Sequence, residues 1–224
     1  MQKRKGLIIN LNKHRHEIMK NLLNKYPQLK SCENEIQLAV DKICHAYKNN
    51  CKLLTCGNGG SAADAEHIVG ELMKGFMSKR PLAEIEKQKL ISAGGKSGEK
   101  LGELLQKPLP AISLVTSVSL ASAFANDVAP ELIFAQQVYG LGNEGDILLG
   151  ISTSGNAENV AYAIIAAKAK GLITIGLTGK NGGKLKGLCD ITIIVPEDST
   201  PDIQELHLPI YHYICKKVES NLFG

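Results

Sequence analysis

The 224-residue chain has no tryptophan, four phenylalanines and six tyrosines. So few aromatics argue against a base-stacking platform, and a net charge of +4 is too mild to argue for nucleic acid by itself. No apolar run reaches the roughly 18 residues that a membrane span needs. The start, MQKRKGLIINLNKH, is basic, but only a four-residue apolar run follows, so no signal peptide is evident. The six cysteines (Cys32, Cys44, Cys51, Cys56, Cys189 and Cys215) show no CxxC spacing and mostly sit in apolar patterns, which reads as buried, reduced thiols. These absences leave a soluble, cytoplasmic protein with neither membrane nor nucleic acid as partner. Its length suits one domain with a helical extension, and 44% apolar residues suffice for a real core.

Residues 5–25 and 33–49 read as two helices, the second with Ile36, Val40, Ile43, Cys44 and Tyr47 at helical spacing. His14, His16 and His45 lie among polar residues with no carboxylate or cysteine constellation around them. Lys52–Cys56 reads as a buried strand, and the helix after Ser61 carries Ala65, Val69, Leu72, Met73 and Phe76 as its expected core stripe. Residues 78–108, rich in Lys, Glu and Gly and bounded by Pro81 and Pro108, form an insertion with room for one or two short helices or a flap. Beyond it, strands at 111–115, 146–152, 172–178 and 190–196 alternate with helical stretches at 130–141 and 160–171. Thr200 as N-cap and Pro201 at the first helical position open a long C-terminal helix. Five strands alternating with helices on short loops predict an α/β fold with a doubly wound parallel sheet. The expected organisation is helices over 1–50 and the α/β domain over 51–224, with the insertion at 78–108.

In such a sheet, ligands bind beyond the carboxyl ends of the strands. Two of those ends are rich in hydroxyls and glycine. Thr55–Glu71, TCGNGGSAADAEHIVGE, is a strand end, a glycine turn and a helix start, and its free N–H groups make an anion site. His67 and Glu71, four apart, share a helical face off the core stripe, as a metal or proton-transfer pair would. Ser152–Thr153–Ser154–Gly155–Asn156 supplies three hydroxyls at another helix start, which suits a phosphate monoester. Neither turn has the G-x-G-x-x-G spacing of a dinucleotide site, and neither continues into the GK[ST] of a Walker loop. Near the C-terminus, Gln204 and His212 project to a similar side of the last helix, about 12 Å apart along its axis. That is too far for both to bind one ion at about 2 Å. If both serve a site built on His67 and Glu71, they come from different subunits. His207 has the weaker claim and reads as structural.

Gly57-Asn-Gly-Gly-Ser61, His67-x-x-x-Glu71, Asn126–Asp127, STSGN at 152–156, LTGKNGGK at 177–184 and IQELH at 203–207 with His212 together resemble the phosphoheptose isomerases of the sugar isomerase (SIS) domain family. The resemblance covers about residues 33–220 apart from the insertion. It implies a five-stranded parallel sheet flanked by helices, a homotetramer with shared active sites, and one zinc ion per site held by His67, Glu71, Gln204 and His212. Glu71 and His212 would carry proton transfer. Asn58, Gly59, Gly60, Ser61, Glu71, Asn126, Asp127, Ser152, Thr153, Ser154 and Gln204 would contact a sugar phosphate. The implied reaction is aldose–ketose isomerisation of sedoheptulose 7-phosphate to D-glycero-D-manno-heptose 7-phosphate, the first step toward nucleotide-activated heptose for lipopolysaccharide or other surface glycans. An isomerase for another sugar phosphate, or a non-catalytic SIS protein binding the replication initiator, are the alternatives. The presence of Glu71 and His212 argues against the last. Ala157 stands where the family usually has a serine, and the 78–108 insertion is longer than the usual link.

Overall fold

The computed structural model describes residues 18–224. His14, His16 and the first part of the helix expected over 5–25 lie outside them. The chain is helical over 18–25 (α1), makes a 3₁₀ turn at Pro27–Cys32, and continues as α2, Glu33–Lys48. β1 (Leu53–Gly57) leads into α3 (Gly60–Met73), then α4 (Glu84–Gly94), α5 (Lys96–Leu104) and β2 (Ala111–Ser113). α6 (Val118–Asp127) and α7 (Ile133–Leu141) precede β3 (Ile147–Ser152), α8 (Glu158–Ala169) and β4 (Ile173–Thr178). α9 (Leu185–Leu188), β5 (Ile191–Ile194) and α10 (Thr200–Phe223) complete it.

All strand pairs are parallel, in the order β2-β1-β3-β4-β5. β1 and β3 are buried along their whole length because helices cover both faces of the sheet. Side-chain alternation divides the core in two. Leu53, Ile147, Leu149 and Ile151 face α2, α3 and α10, whereas Leu54, Cys56 and Leu148 face α7 and α8. The helices before residue 50 enter the first of these cores through Leu22, Leu29, Ile36, Val40 and Ile43.

Several sequence expectations shift. The buried side of α3 is Ser61, Ala65, Ile68 and Leu72, while Met73 is exposed and Phe76 lies past the helix end. The reason is tertiary: α3 wedges between the sheet and α10, and that corner selects Ile68 over Met73. Ser199, not Thr200, caps α10, its hydroxyl accepting from the Asp202 N–H at 3.3 Å. Pro209 sits inside this helix, which stays helical to Phe223. The 130–141 stretch begins as a 3₁₀ turn at Pro130–Leu132. The insertion is a helical hairpin, α4 against α5, closed at its base where Pro81 bridges Gln106. All six cysteines are free thiols, with Cys51 and Cys189 half-buried and the others buried. Among the described residues no helix is long and apolar enough to cross a membrane.

Candidate active site

The chain enters at β1, steps outward to β2, and returns past β1 to β3, so the topological switch point lies between the carboxyl ends of β1 and β3. A cavity of about 370 Å³ opens there, lined by the glycine turn from Asn58 to Ser61, the hydroxyls of Ser152, Thr153 and Ser154, Ala157, Thr200 and Gln204. Three helices, α3, α8 and α10, begin at its wall. The partial positive charge at their N-terminal ends makes it a receptor for an anion, and among the described residues no lysine or arginine lines it. The two serine hydroxyls are held as acceptors: Ser154 Oγ takes the Asn156 N–H at 3.1 Å, and Ser152 Oγ takes the Ala157 N–H at 3.4 Å. Each O–H proton is thereby left to donate outward.

The LTGKNGGK stretch buttresses this loop. The Gly179 N–H donates to Thr153 O, the Leu185 N–H to Gly155 O, and the Lys184 N–H to Asn156 Oδ1. Gly155 has φ +65°, and a Cβ there would lie 2.0 Å from Gly182 O, so two glycine-bearing loops interlock.

The second cluster stands on α3 and α10, which run side by side in the same direction about 144 residues apart in sequence. Gly60 faces Gln204, His67 faces Tyr211 and His212, and Phe76 faces Glu219. His67 Nε2 lies 3.2 Å from Glu71 Oε1, and His67 Nδ1 lies 3.0 Å from the Tyr211 hydroxyl. The His212 ring meets the His67 ring edge-on, with centroids 5.0 Å apart. Burial, and then the neighbouring His67, lower the His212 pKa from its ordinary value, against a smaller opposing pull from Glu71. Both effects favour the neutral form of the imidazole. Burial raises the Asp64 pKa, partly offset by the Tyr211 hydroxyl and His67.

This register keeps Gln204 and His212 apart within one chain, as their spacing along one helix requires. Their axial separation is matched by that of Gly60 and His67, about 10 Å along α3, so each finds its own counterpart within one chain. Gln204 packs on the glycine turn, its Nε2 2.3 Å from where a Gly60 Cβ would be, and His212 joins His67 and Glu71. Asn126 and Asp127 sit exposed at the end of α6, hydrogen-bonded to each other at 2.8 Å, and do not line the cavity. His207 is wholly buried; burial lowers its pKa to about 4, the Thr178 backbone working weakly the other way.

Among the described residues no three His, Cys, Asp or Glu side chains converge closely enough to hold an ion as they stand. The donors nevertheless suit one: two imidazoles and a carboxylate are neighbours, a set that binds zinc-like divalent ions in open sites. Tyr211, Asp64 and Asn159 escaped sequence reasoning, and Thr200 was read only as a helix cap. They carry no spacing signal, and only the pairing of α3 with α10, and of one loop with the next, brings them to the site.

Fold and cavity define a class: a doubly wound α/β domain with an anion-receiving crevice at its switch point. The SIS domain family matches residues 19–94 and 103–179. The phosphoheptose isomerase of Clostridium acetobutylicum is 42% identical over 190 residues, 85% of this chain and 84% of that one. That of Nitratiruptor sp. is 44% identical over 180 residues, 80% of this chain and 82% of the relative. The solved structure of phosphoheptose isomerase GmhA from Neisseria gonorrhoeae superposes with a TM-score of 0.71 at 32% identity, covering 96% of this chain and 99% of its own. The chain belongs to the SIS domain family, among its phosphoheptose isomerases.

Proposed function

We infer that this protein is an aldose–ketose isomerase that interconverts sedoheptulose 7-phosphate and D-glycero-D-manno-heptose 7-phosphate. The observation that carries this reading is the adjacency of the two clusters. One pair of helices, α3 and α10, places an anion crevice at its N-terminal end and Glu71 with His212 about two turns further on. A sugar phosphate with its phosphate on the Ser152–Ser154 loop would extend its other end along this pair of helices toward the cluster.

The reaction moves one proton between C1 and C2. The Glu71 carboxylate takes the C1 proton of the ketose, leaving an enediolate, and neutral His212 carries the hydroxyl proton from O1 to O2. Glu71 then returns its proton to C2, and the aldose results. His67, Glu71 and His212 of one chain, with Gln204 brought to them by a neighbouring subunit, are the residues that would hold zinc. A bound zinc ion supplies Lewis-acid polarisation of the carbonyl. Burial and His67 bias His212 toward the neutral imidazole, the form that suits both ligation and proton shuttling.

Two further elements belong to this reading. One is a homotetramer with shared active sites, supported by Met73, Met77 and Leu208, which stay exposed although Met77 and Leu208 line a groove beside His212. The other is a cytoplasmic location, supported by six free thiols. The test is turnover of sedoheptulose 7-phosphate against shorter ketose phosphates, with zinc supplied and after chelation. Preference for the seven-carbon ketose, lost on chelation and restored by zinc, is expected. Absence of turnover by the zinc-loaded protein would overturn the reading.

A further inference from the structure

The tip of the glycine turn is thinly supported. Asn58, Gly59 and Gly60 are exposed, Gly59 has φ +56°, and a Cβ placed there would meet nothing within 4 Å. Backbone hydrogen bonds tie the turn to its own helix, from the Ser61 N–H to Asn58 O and from the Ala62 N–H to Gly59 O, but not to the opposite wall of the crevice. Two amide side chains do reach it from outside. Gln204, in the first turn of α10, packs on Gly60. Asn159, in the first turn of α8, pairs with Asn58: Asn58 Nδ2 donates to Asn159 Oδ1 at 2.8 Å, and Asn159 Nδ2 donates to Asn58 Oδ1 at 2.9 Å.

We propose that Asn159 is a positioning residue that fixes the spacing of the two ligand-binding loops through this reciprocal amide pair. The pair spans 101 residues of sequence and joins the loop after β1 to the helix that starts after the Ser152–Ser154 loop. These two loops are the opposing walls of the crevice, so the pair sets the distance between the turn's N–H groups and the serine hydroxyls. The arrangement is two-sided. Asn159 Oδ1 also accepts the Val160 N–H at 3.0 Å, which seats the carboxamide on the first turn of α8 and aims its Nδ2 at Asn58. Asn58 keeps one N–H free for a ligand while its oxygen and other N–H serve the bridge. The interaction rests on the functional reading above and adds to it a residue that does not line the cavity.

The test compares Asn159→Ala, Asn159→Leu, Asn58→Ala and the Asn58→Ala/Asn159→Ala double variant as zinc-loaded enzymes. KM and kcat are read for sedoheptulose 7-phosphate, and the Kd for inorganic phosphate is read by calorimetry. Asn159→Ala and Asn159→Leu are expected to raise KM and phosphate Kd about tenfold, the order that one to two neutral hydrogen bonds are worth, with kcat within about twofold; Asn58→Ala, which also removes a cavity-lining N–H, should weaken binding at least as much. Asn159→Leu keeps the volume and loses both hydrogen bonds, so it should match Asn159→Ala. The double variant should be no worse than Asn58→Ala alone, because Asn159 acts only through the pair that Asn58→Ala already removes. Faster amide exchange at Gly59–Ala62, with an unchanged melting temperature, would separate loosening of the turn from general destabilisation. An unmoved KM and phosphate Kd in Asn159→Ala, or effects that multiply in the double variant, would overturn the proposal. Wild-type protein that binds phosphate but turns over no sugar phosphate would sink the isomerase reading alone, and phosphate Kd would still decide the pair.

Discussion

His212 and Glu71 sit within one small cluster and differ in what their loss should do. Glu71→Gln keeps shape and hydrogen bonding but removes the carboxylate that accepts the carbon-bound proton. His212→Ala removes the hydroxyl shuttle. Both are expected to lower kcat by at least about 10²-fold while the melting temperature stays close to wild type. Near-normal turnover in either would remove that residue from the mechanism. His207 is the opposite case, a histidine whose consequence is for folding. Its pKa is lowered by burial to about 4, whereas an unfolded imidazole titrates near 6.5. Above pH 6.5 neither state binds the proton and the residue costs nothing. As the pH falls from 6.5 toward 4 the unfolded chain takes up a proton that the native one refuses, and stability declines by on the order of 3 kcal/mol. A His207→Leu variant should show a markedly flatter melting temperature between pH 6.5 and pH 4 than wild type. Equal slopes would mean that His207 is not the group responsible.

At the scale of elements, α10 is tied to the end of α3 by a buried carboxylate. Glu219 accepts the N–H groups of Phe76, Met77 and Ser78 at 2.9, 2.7 and 3.2 Å and the Arg80 Nε at 2.6 Å. Arg80 also donates to Leu72 O at 2.7 Å, closing the last turn of α3, and lies over the Phe223 ring. Burial alone would raise the Glu219 pKa; the Phe76 and Met77 N–H donors and the guanidinium outweigh it and hold the carboxyl below its ordinary value. Glu219→Ala leaves Arg80 buried and unpaired, and a loss of about 3–5 kcal/mol in denaturant unfolding is expected. The α4–α5 hairpin behaves differently, because its two helices pack chiefly on each other. A Cβ on Gly98 would come within 1.9 Å of Leu90 O, so Gly98→Val must force the hairpin apart. Faster proteolysis within residues 84–104, with a melting temperature within a few degrees of wild type, is the expected outcome. A large drop in melting temperature would show that the hairpin is part of the core after all.

For the whole molecule, the open question of assembly turns on surface rather than on core. Met73, Met77 and Leu208 remain exposed, as do Ile85, Leu104 and Leu105 on the hairpin and Val118 and Val128 around α6. Scattered apolar side chains are ordinary on a surface, but Met77 and Leu208 share a groove with His212, which is where a subunit contact would cover them. Sedimentation is expected to give a tetramer that carries the activity. A fully active monomer would refute shared sites.

Much of this protein was legible in its sequence, because period and punctuation are local. Five apolar runs, each followed by a turn and a helical stretch, specify a parallel α/β sheet, and their edges fell within two residues of the observed strands. The glycine turn, the His67–Glu71 pair and the STSGN loop were visible as residue types at strand ends, where a doubly wound sheet puts its ligands. The register of α3 against α10 was not legible, since no local pattern states which helix lies beside which, or in what direction. That register moved Gln204 to the glycine turn and His212 to His67 within one chain, and it buried His207. The Asn58–Asn159 pair was hidden for the same reason: two asparagines 101 residues apart have no signal until the sheet brings their loops face to face.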